Sequence, residues 1–180
     1  KQAVERCRSA GITTVMITGD HKETALAIGR EAGFASGSTQ ALSGLELNGL
    51  TDAELSSRVR DVCVYARVSA EHKLRIVRAW RAQGAVVAMT GDGVNDAPAV
   101  READIGIAMG MTGTDVTKDA SDMVVTDDNF ASIAAAVEEG RSIYENIRKA
   151  AHYLLSCNLS EVLVMLGSSL LGWPLPLLPI

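Results

Sequence analysis

Two carboxylates and an amide, Asp92, Asn95 and Asp96, crowd into the string Met89-Thr90-Gly91-Asp92-Gly93-Val94-Asn95-Asp96-Ala97-Pro98. Oxygen ligands gathered this way suit a hard cation beside a phosphate. The same residues also fit an ordinary Gly/Asp turn that caps a helix. Thr18 and Gly19 sit at another strand end that opens onto a helix, where a hydroxyl and a backbone N–H are natural phosphate donors or a simple cap. Lys73 lies near a helix start, where a cation opposes the dipole. That makes sense if it faces a phosphate, although a solvated surface lysine is the commoner role. Farther on, Asn158 and Glu161 are three residues apart in an apolar run, hence on one helix face. An ionisable group in a membrane helix reads as functional, and an amide oxygen with a carboxylate suits a hard cation. The competing role is a polar pair that only strengthens helix packing. His21 and His72 have no second ligand at suitable spacing.

The elements that must position these groups alternate between strand and helix. Lys1 to Ala10 has helical character, and Ile12 to Ile17 reads as a buried parallel strand. Thr18-Gly19-Asp20 is the turn, and His21 to Ala32 the next helix, closed by Gly33. Gly37 to Gly49 is polar and punctuated by glycine. Leu50 to Val59 predicts a short helix with Thr51 and Glu54 as a capping box. Val62 to Ala66 is a second strand, and Ser69 to Gln83 an amphipathic helix. Ala85 to Met89 is a third strand, and Gly91 and Gly93 are expected to supply turn conformations that a β-carbon resists. A helix over Val94 to Ala103 and short strands at Ile105 to Ala108 and Met123 to Val125 follow. The alternation predicts an α/β fold with a parallel sheet.

Residues 150 to 180 are almost free of charge, Glu161 being the clear exception, and the run is long enough for a bilayer. With no proline between Phe130 and Pro174, one helix of ~40 residues and ~60 Å is expected, with Gly140 and Gly167 as its weak points. Arg141, Arg148 and Lys149 precede the apolar run and place that side in the cytoplasm. Gly172 to Pro176 reads as the turn that follows. The formal net charge of -5 and the lack of a basic, aromatic-rich patch argue against nucleic acid. The 3 cysteines, Cys7, Cys63 and Cys157, lack metal-ligand spacing and read as structural.

Thr90 to Pro98 resembles the hinge motif of the P-type cation-transporting ATPases, a membrane branch of the haloacid-dehalogenase-like fold. Met16 to Asp20, Ala66-Arg67-Val68 through His72-Lys73, Ile105 to Gly110 and Asp127 to Phe130 resemble further blocks of that family, in the right order. The resemblance implies a haloacid-dehalogenase-like Rossmannoid parallel sheet followed by a long helix entering the membrane. No DKTGT string is present, so the phosphorylated aspartate and its central strand are expected to lie outside this chain. The isolated chain is then expected to be inactive and unstable. The divisions implied are 1–129, the later part of the phosphorylation domain; 130–151, a cytosolic stalk helix; 152–172, a transmembrane helix; and 173–180, a loop.

By the same resemblance Asp92 takes Mg2+, Asn95 contacts phosphate or its water, and Asp96 holds the site from behind. Thr18, Gly19 and Lys73 face the phosphoryl group, while Asp20 and Arg67 approach ATP. Asn158 and Glu161 match a pair of cation ligands in calcium and sodium/potassium pumps, and Asn158 to Val164 looks closer to the calcium pumps. No Cys-Pro-Cys appears in this segment, which speaks against a heavy-metal pump. The implied partners are the remaining parts of the same pump and the lipid bilayer. The implied location is the cell membrane, with residues 1–150 cytoplasmic. Alternatives are a pump for sodium/potassium, manganese or protons, a soluble phosphatase of the same fold, and a non-catalytic module.

Overall fold

In the computed structural model, which describes residues 1–35 and 40–174, strands β1 (Met16–Thr18), β2 (Gln40–Ser43) and β3 (Val62–Ala66) form one parallel sheet. β3 is its middle strand, with Thr18 and Ser43 both opposite Ala66. Val62, Val64, Tyr65 and Ala66 are wholly buried, which suits a strand covered on both faces. A second parallel sheet holds β4 (Ala88–Gly91), β5 (Ile105–Met109) and β6 (Met123–Val125), in that order. Among the described residues β1 and β4 therefore pair on one side only, each at the edge of its own sheet. Ile17 of β1 nonetheless packs into one apolar cluster with Met89, Val77, Ala99 and Val100.

Helices α1 (Gln2–Ser9), α2 (Lys22–Ala32), α3 (Gly44–Asn48), α4 (Asp52–Arg58), α5 (Ala70–Ala82), α6 (Ala97–Glu102) and α7 (Asp115–Asp119) accompany the strands. Their ends follow local chemistry. Gly33 closes α2 at φ 91°, a left-handed conformation that glycine tolerates best. Thr51 and Glu54 form the expected capping box on α4. α5 buries Ile76 and Val77 and starts at Ser69, whose hydroxyl accepts from the N–H of His72.

These elements form one unit, Lys1–Ala134, and Ala135–Ile180 form another. The boundary falls within α8 (Phe130–Leu171), one helix of 42 residues that is long and apolar enough to cross a membrane. Gly140 and Gly167 do not interrupt it. Asn129 starts it by accepting the N–H of Ala131 on its side-chain oxygen. Gly172, at φ 67°, follows the helix, and the N–H of Trp173 returns to the carbonyl of Ser168. Residues 175–180, the remainder of the expected loop, lie outside the described residues.

Several boundaries differ from the sequence reading. β1 starts at Met16 rather than Ile12, because β3 offers ladder partners only to Met16, Ile17 and Thr18. β4 is displaced toward the turn, and Val87 instead exchanges bonds with Asp104. Gly37 to Gly49, read as a polar connection, contains β2 and α3; its first residues, 37–39, lie outside the described residues. Only Ala41 and Leu42 are buried in β2, so pairing with β3 rather than apolar content makes it a strand. The expected helix from Val94 begins as a 3-10 turn, Val94–Asp96, before α6. α7 was not expected.

Candidate functional site

The candidate groups of the first unit gather beyond the carboxyl ends of β1, β3 and β4, the usual ligand-binding edge of a parallel α/β sheet. The turn after β4 is built around Asp96, whose side chain is 8% exposed. Its Oδ2 accepts from the N–H of Gly93 at 3.2 Å and of Asp92 at 3.4 Å. Its Oδ1 is ion-paired with Lys73 Nζ from the first turn of α5. One carboxylate thus fixes two amides and one cation. The charges match and Lys73 is 21% exposed, so the pair is stabilising only as a unit; removing one partner of such a pair costs about 3–5 kcal/mol.

Glycine at 91 is required by space rather than by backbone angle. A β-carbon there would lie 2.5 Å from Asp96 Cβ and 2.9 Å from Val100 Cγ2. Gly93 has φ −103° and ordinary clearance. The expectation that both glycines supply unusual turn angles is therefore corrected: Gly91 admits Asp96, and Gly93 is not demanded by conformation. Asp92 and Asn95 remain exposed at the rim. Among the described residues no group of three or more His, Cys, Asp or Glu is gathered for a metal. A single exposed carboxylate fits magnesium, which keeps several waters and takes one or two carboxylates.

The turn after β1 meets the end of β3. Thr18 Oγ1 donates to Asp20 Oδ2 at 2.9 Å and accepts the Asp20 N–H at 3.1 Å. Gly19 and Asp20 are exposed. Arg67 adopts φ 51° and gives its N–H to the Asp20 carbonyl at 3.1 Å, while its Nη2 lies 2.9 Å from His21 Nε2. A guanidinium can only donate, so Nε2 of His21 accepts. Asp20 and Arg67 are thus held side by side.

His72 is occupied as a cap. Its Nδ1 accepts from the N–H of Ser69 at 3.1 Å, which leaves Nε2 to donate to Asn48 Oδ1 at 2.8 Å. This bond fixes the first turn of α5 against α3, immediately before Lys73.

Two contributors, Thr114 and Thr117, were not found from the sequence, and a third, Asp128, lay in a matched block without a role. The N–H of Thr114 donates to the Asp92 carbonyl at 2.8 Å, and Thr117 Oγ1 donates to the Gly93 carbonyl at 2.8 Å. The usable signal was Thr114 as a cap three residues before Thr117. Asp128, at φ 50°, accepts from the N–H of Met111 at 2.9 Å and from the N–H and hydroxyl of Thr112 at 2.7 and 2.8 Å. These donors, the Met111 amide foremost, hold its carboxyl below the usual aspartate range.

Asn158 and Glu161 belong to the second unit, where both are exposed on α8 at the expected spacing. Nearby, Ser160 returns its hydroxyl to the Ser156 carbonyl at 2.8 Å.

Residues 1–104 match the family model of haloacid dehalogenase-like hydrolases. The chain is 56% identical over 180 residues to calcium-transporting ATPase 1 of Bacillus cereus and 59% identical over 180 residues to the calcium-transporting ATPase of Bacillus subtilis. Each alignment takes in 100% of this chain and 20% of the relative, so the chain spans about a fifth of the length of these curated relatives. A crystal structure of a zinc-transporting PIB-type ATPase in its E2.Pi state superposes with TM-score 0.68 at 29% identity, over 96% of this chain and 23% of that one. The resemblance drawn from the motifs, and the haloacid-dehalogenase-like α/β fold with its long apolar helix, are met by these findings.

Proposed function

The chain belongs to the haloacid dehalogenase-like hydrolases, as a segment similar throughout to cation-transporting ATPases, and on that premise we propose that it couples phosphoryl transfer to cation movement in a P-type pump. The observation that carries the proposal is the Asp96 clamp, which binds Lys73 and the amides of Asp92 and Gly93 at once. Phosphoryl transfer needs positioning and charge neutralisation more than covalent chemistry. Asp92 presents an exposed carboxylate for Mg2+, which when bound offsets the charge on the phosphoryl oxygens. Lys73 supplies a fixed cation, and Asp96 keeps it in place. Thr18, Gly19 and Asn95 bind and orient the phosphoryl group, with the Thr18 hydroxyl leaving Asp20 to do so. Asp20 and Arg67 face ATP. The aspartate that accepts the phosphate comes from another part of the same pump.

Residues 1–129 would then serve as the later part of the phosphorylation domain, 130–151 as a stalk and 152–172 as a membrane helix before the loop at 173–180. Residues 1–150 are assigned to the cytoplasmic side and the pump to the cell membrane, with lipid and the other pump segments as partners. Asn158 and Glu161 contribute to the transported-cation site. Calcium is favoured as the cargo by the similarity to calcium-transporting relatives and by the hard-oxygen character of both side chains.

The test of the phosphoryl site is Asp92→Ala in the full-length parent. Acid-stable phosphoenzyme formed from radiolabelled ATP should fall at least ~10²-fold, the scale of losing a principal electrostatic stabiliser. Native levels and rate of phosphorylation would remove Asp92 from the site.

A further inference from the structure

The loop that carries Asp92 is gripped from two sides. Its N–H groups at Asp92 and Gly93 donate to Asp96. Its carbonyls at the same two residues accept from Thr114 N–H and Thr117 Oγ1, both at 2.8 Å. The backbone N–H and C=O of both residues are therefore pinned, while the Asp92 side chain stays exposed. Thr117 is wholly buried. Its Oγ1 also lies 2.8 Å from Thr114 Oγ1. A carbonyl can only accept, so the one Thr117 hydroxyl proton goes to Gly93, and Thr114 must donate to Thr117. Thr114 Oγ1 in turn accepts from the N–H of Thr117 at 3.4 Å. The direction of every proton in this relay is fixed.

We propose that Thr117 is a positioning residue for magnesium binding: its buried hydroxyl sets the Gly93 carbonyl and so the aim of the Asp92 carboxylate. The proposal rests on the reading of Asp92 as the magnesium ligand. Valine at 117 keeps the branched shape but leaves the Gly93 carbonyl without its donor. The loop can then turn that carbonyl toward water and carry Asp92 with it. Partners that orient a metal ligand are typically worth 10- to 100-fold in affinity or activity.

The test uses the full-length pump with Mn2+ as a spectroscopic probe and inorganic phosphate as the phosphoryl donor. Native protein is compared with Thr117→Val, Thr117→Ser and Asp92→Ala. Mn2+ binding is read by electron paramagnetic resonance, and the Mg2+ dependence of phosphorylation is read separately. Thr117→Val should raise half-saturating Mn2+ and Mg2+ about tenfold, and Thr117→Ser should restore both to within about twofold of native. Nucleotide affinity, measured by a fluorescent ATP analogue, should stay unchanged in both. If Thr117→Val does not fold, Thr117→Ala supplies the same comparison without a hydroxyl. Native metal dependence in a hydroxyl-free variant overturns the proposal, as does an equal defect in Thr117→Ser, which would assign the effect to packing. If Asp92→Ala binds Mn2+ like the native pump, the assignment of Asp92 has failed, and the role of Thr117 falls with it.

Discussion

Asp96 is a hub because each of its oxygens has a different task, and this makes even a conservative change costly. In Asp96→Asn the side chain gains two N–H donors and loses its charge. Whichever way the amide turns, a donor faces either Lys73 or the two loop amides, all of which are donors. Breaking a largely buried pair from one side costs about 3 kcal/mol. Asp96→Asn should therefore lower the melting temperature of the full-length protein by several degrees and slow phosphoenzyme formation. A native melting profile with native phosphorylation kinetics would show that the clamp is dispensable. At this scale the sequence was most informative about groups that could touch a ligand. Asp92, Asn95, Asp96 and Lys73 stood out because their types suit phosphate and a hard cation. The reciprocal bond between Lys73 and Asp96 did not, since 23 residues separate them and only the packing of α5 beside the loop joins them. Thr117 was invisible for a related reason: a buried hydroxyl facing a carbonyl leaves no pattern in charge or hydropathy.

At the scale of elements, the loop before α7 is held by Asp128, and α7 in turn holds the Asp92 loop. Asp128 sits immediately before the start of α8, so one short segment serves both the loop 110–113 and the head of the helix. Its carboxyl is held below the usual aspartate range by N–H donors. A group depressed on folding contributes stability above its unfolded pKa and loses it as pH falls through the folded value. The anchor should thus persist at neutral pH and fail only below the ordinary aspartate range. Hydrogen-exchange protection at Met111 and Thr112 should follow that course in the native protein and be lost at all pH values in Asp128→Ala. Protection that survives the substitution would show that the loop is held by other means. Glu46 follows the same rule: the Lys22 ammonium at 2.8 Å and the Ser43 amide hold its pKa at about 2. The capping box of α4 could be read ahead of time because a cap depends on neighbours in sequence. β2 could not, because its partner β3 lies some 20 residues away and its own composition is that of a loop. Likewise the apolar run at 85–89 marked a strand but not its burial or its bounds: Val86 is exposed and only Met89 of the run is buried, and pairing with β5 set the strand two to three residues later.

At the scale of the whole molecule, β1 and β4 each leave one edge without a strand partner among the described residues. Unpaired buried backbone groups are costly. These edges fit the proposal that another segment of the pump completes the sheet and brings the phosphorylated aspartate between Thr18 and Asp92. α8 is the other open surface: Leu154, Leu155, Leu159, Val162 and Leu163 are all exposed on it, as a helix meant for lipid or neighbouring helices would leave them. The long apolar helix was plain from hydropathy and the absence of proline, which are local properties. The remaining ligands of a cation site built on Asn158 and Glu161 were not, because they must come from other helices. Coupling requires the phosphoryl site and the cation site to bias the same conformational equilibrium. Its most direct test is the ATPase activity of the full-length parent in detergent, titrated with free calcium at fixed magnesium, beside Glu161→Gln. The account predicts activation by calcium in the native pump and a loss of that activation in Glu161→Gln, with phosphorylation by inorganic phosphate preserved. Calcium activation that is unchanged in Glu161→Gln, or a native ATPase indifferent to calcium, would contradict it.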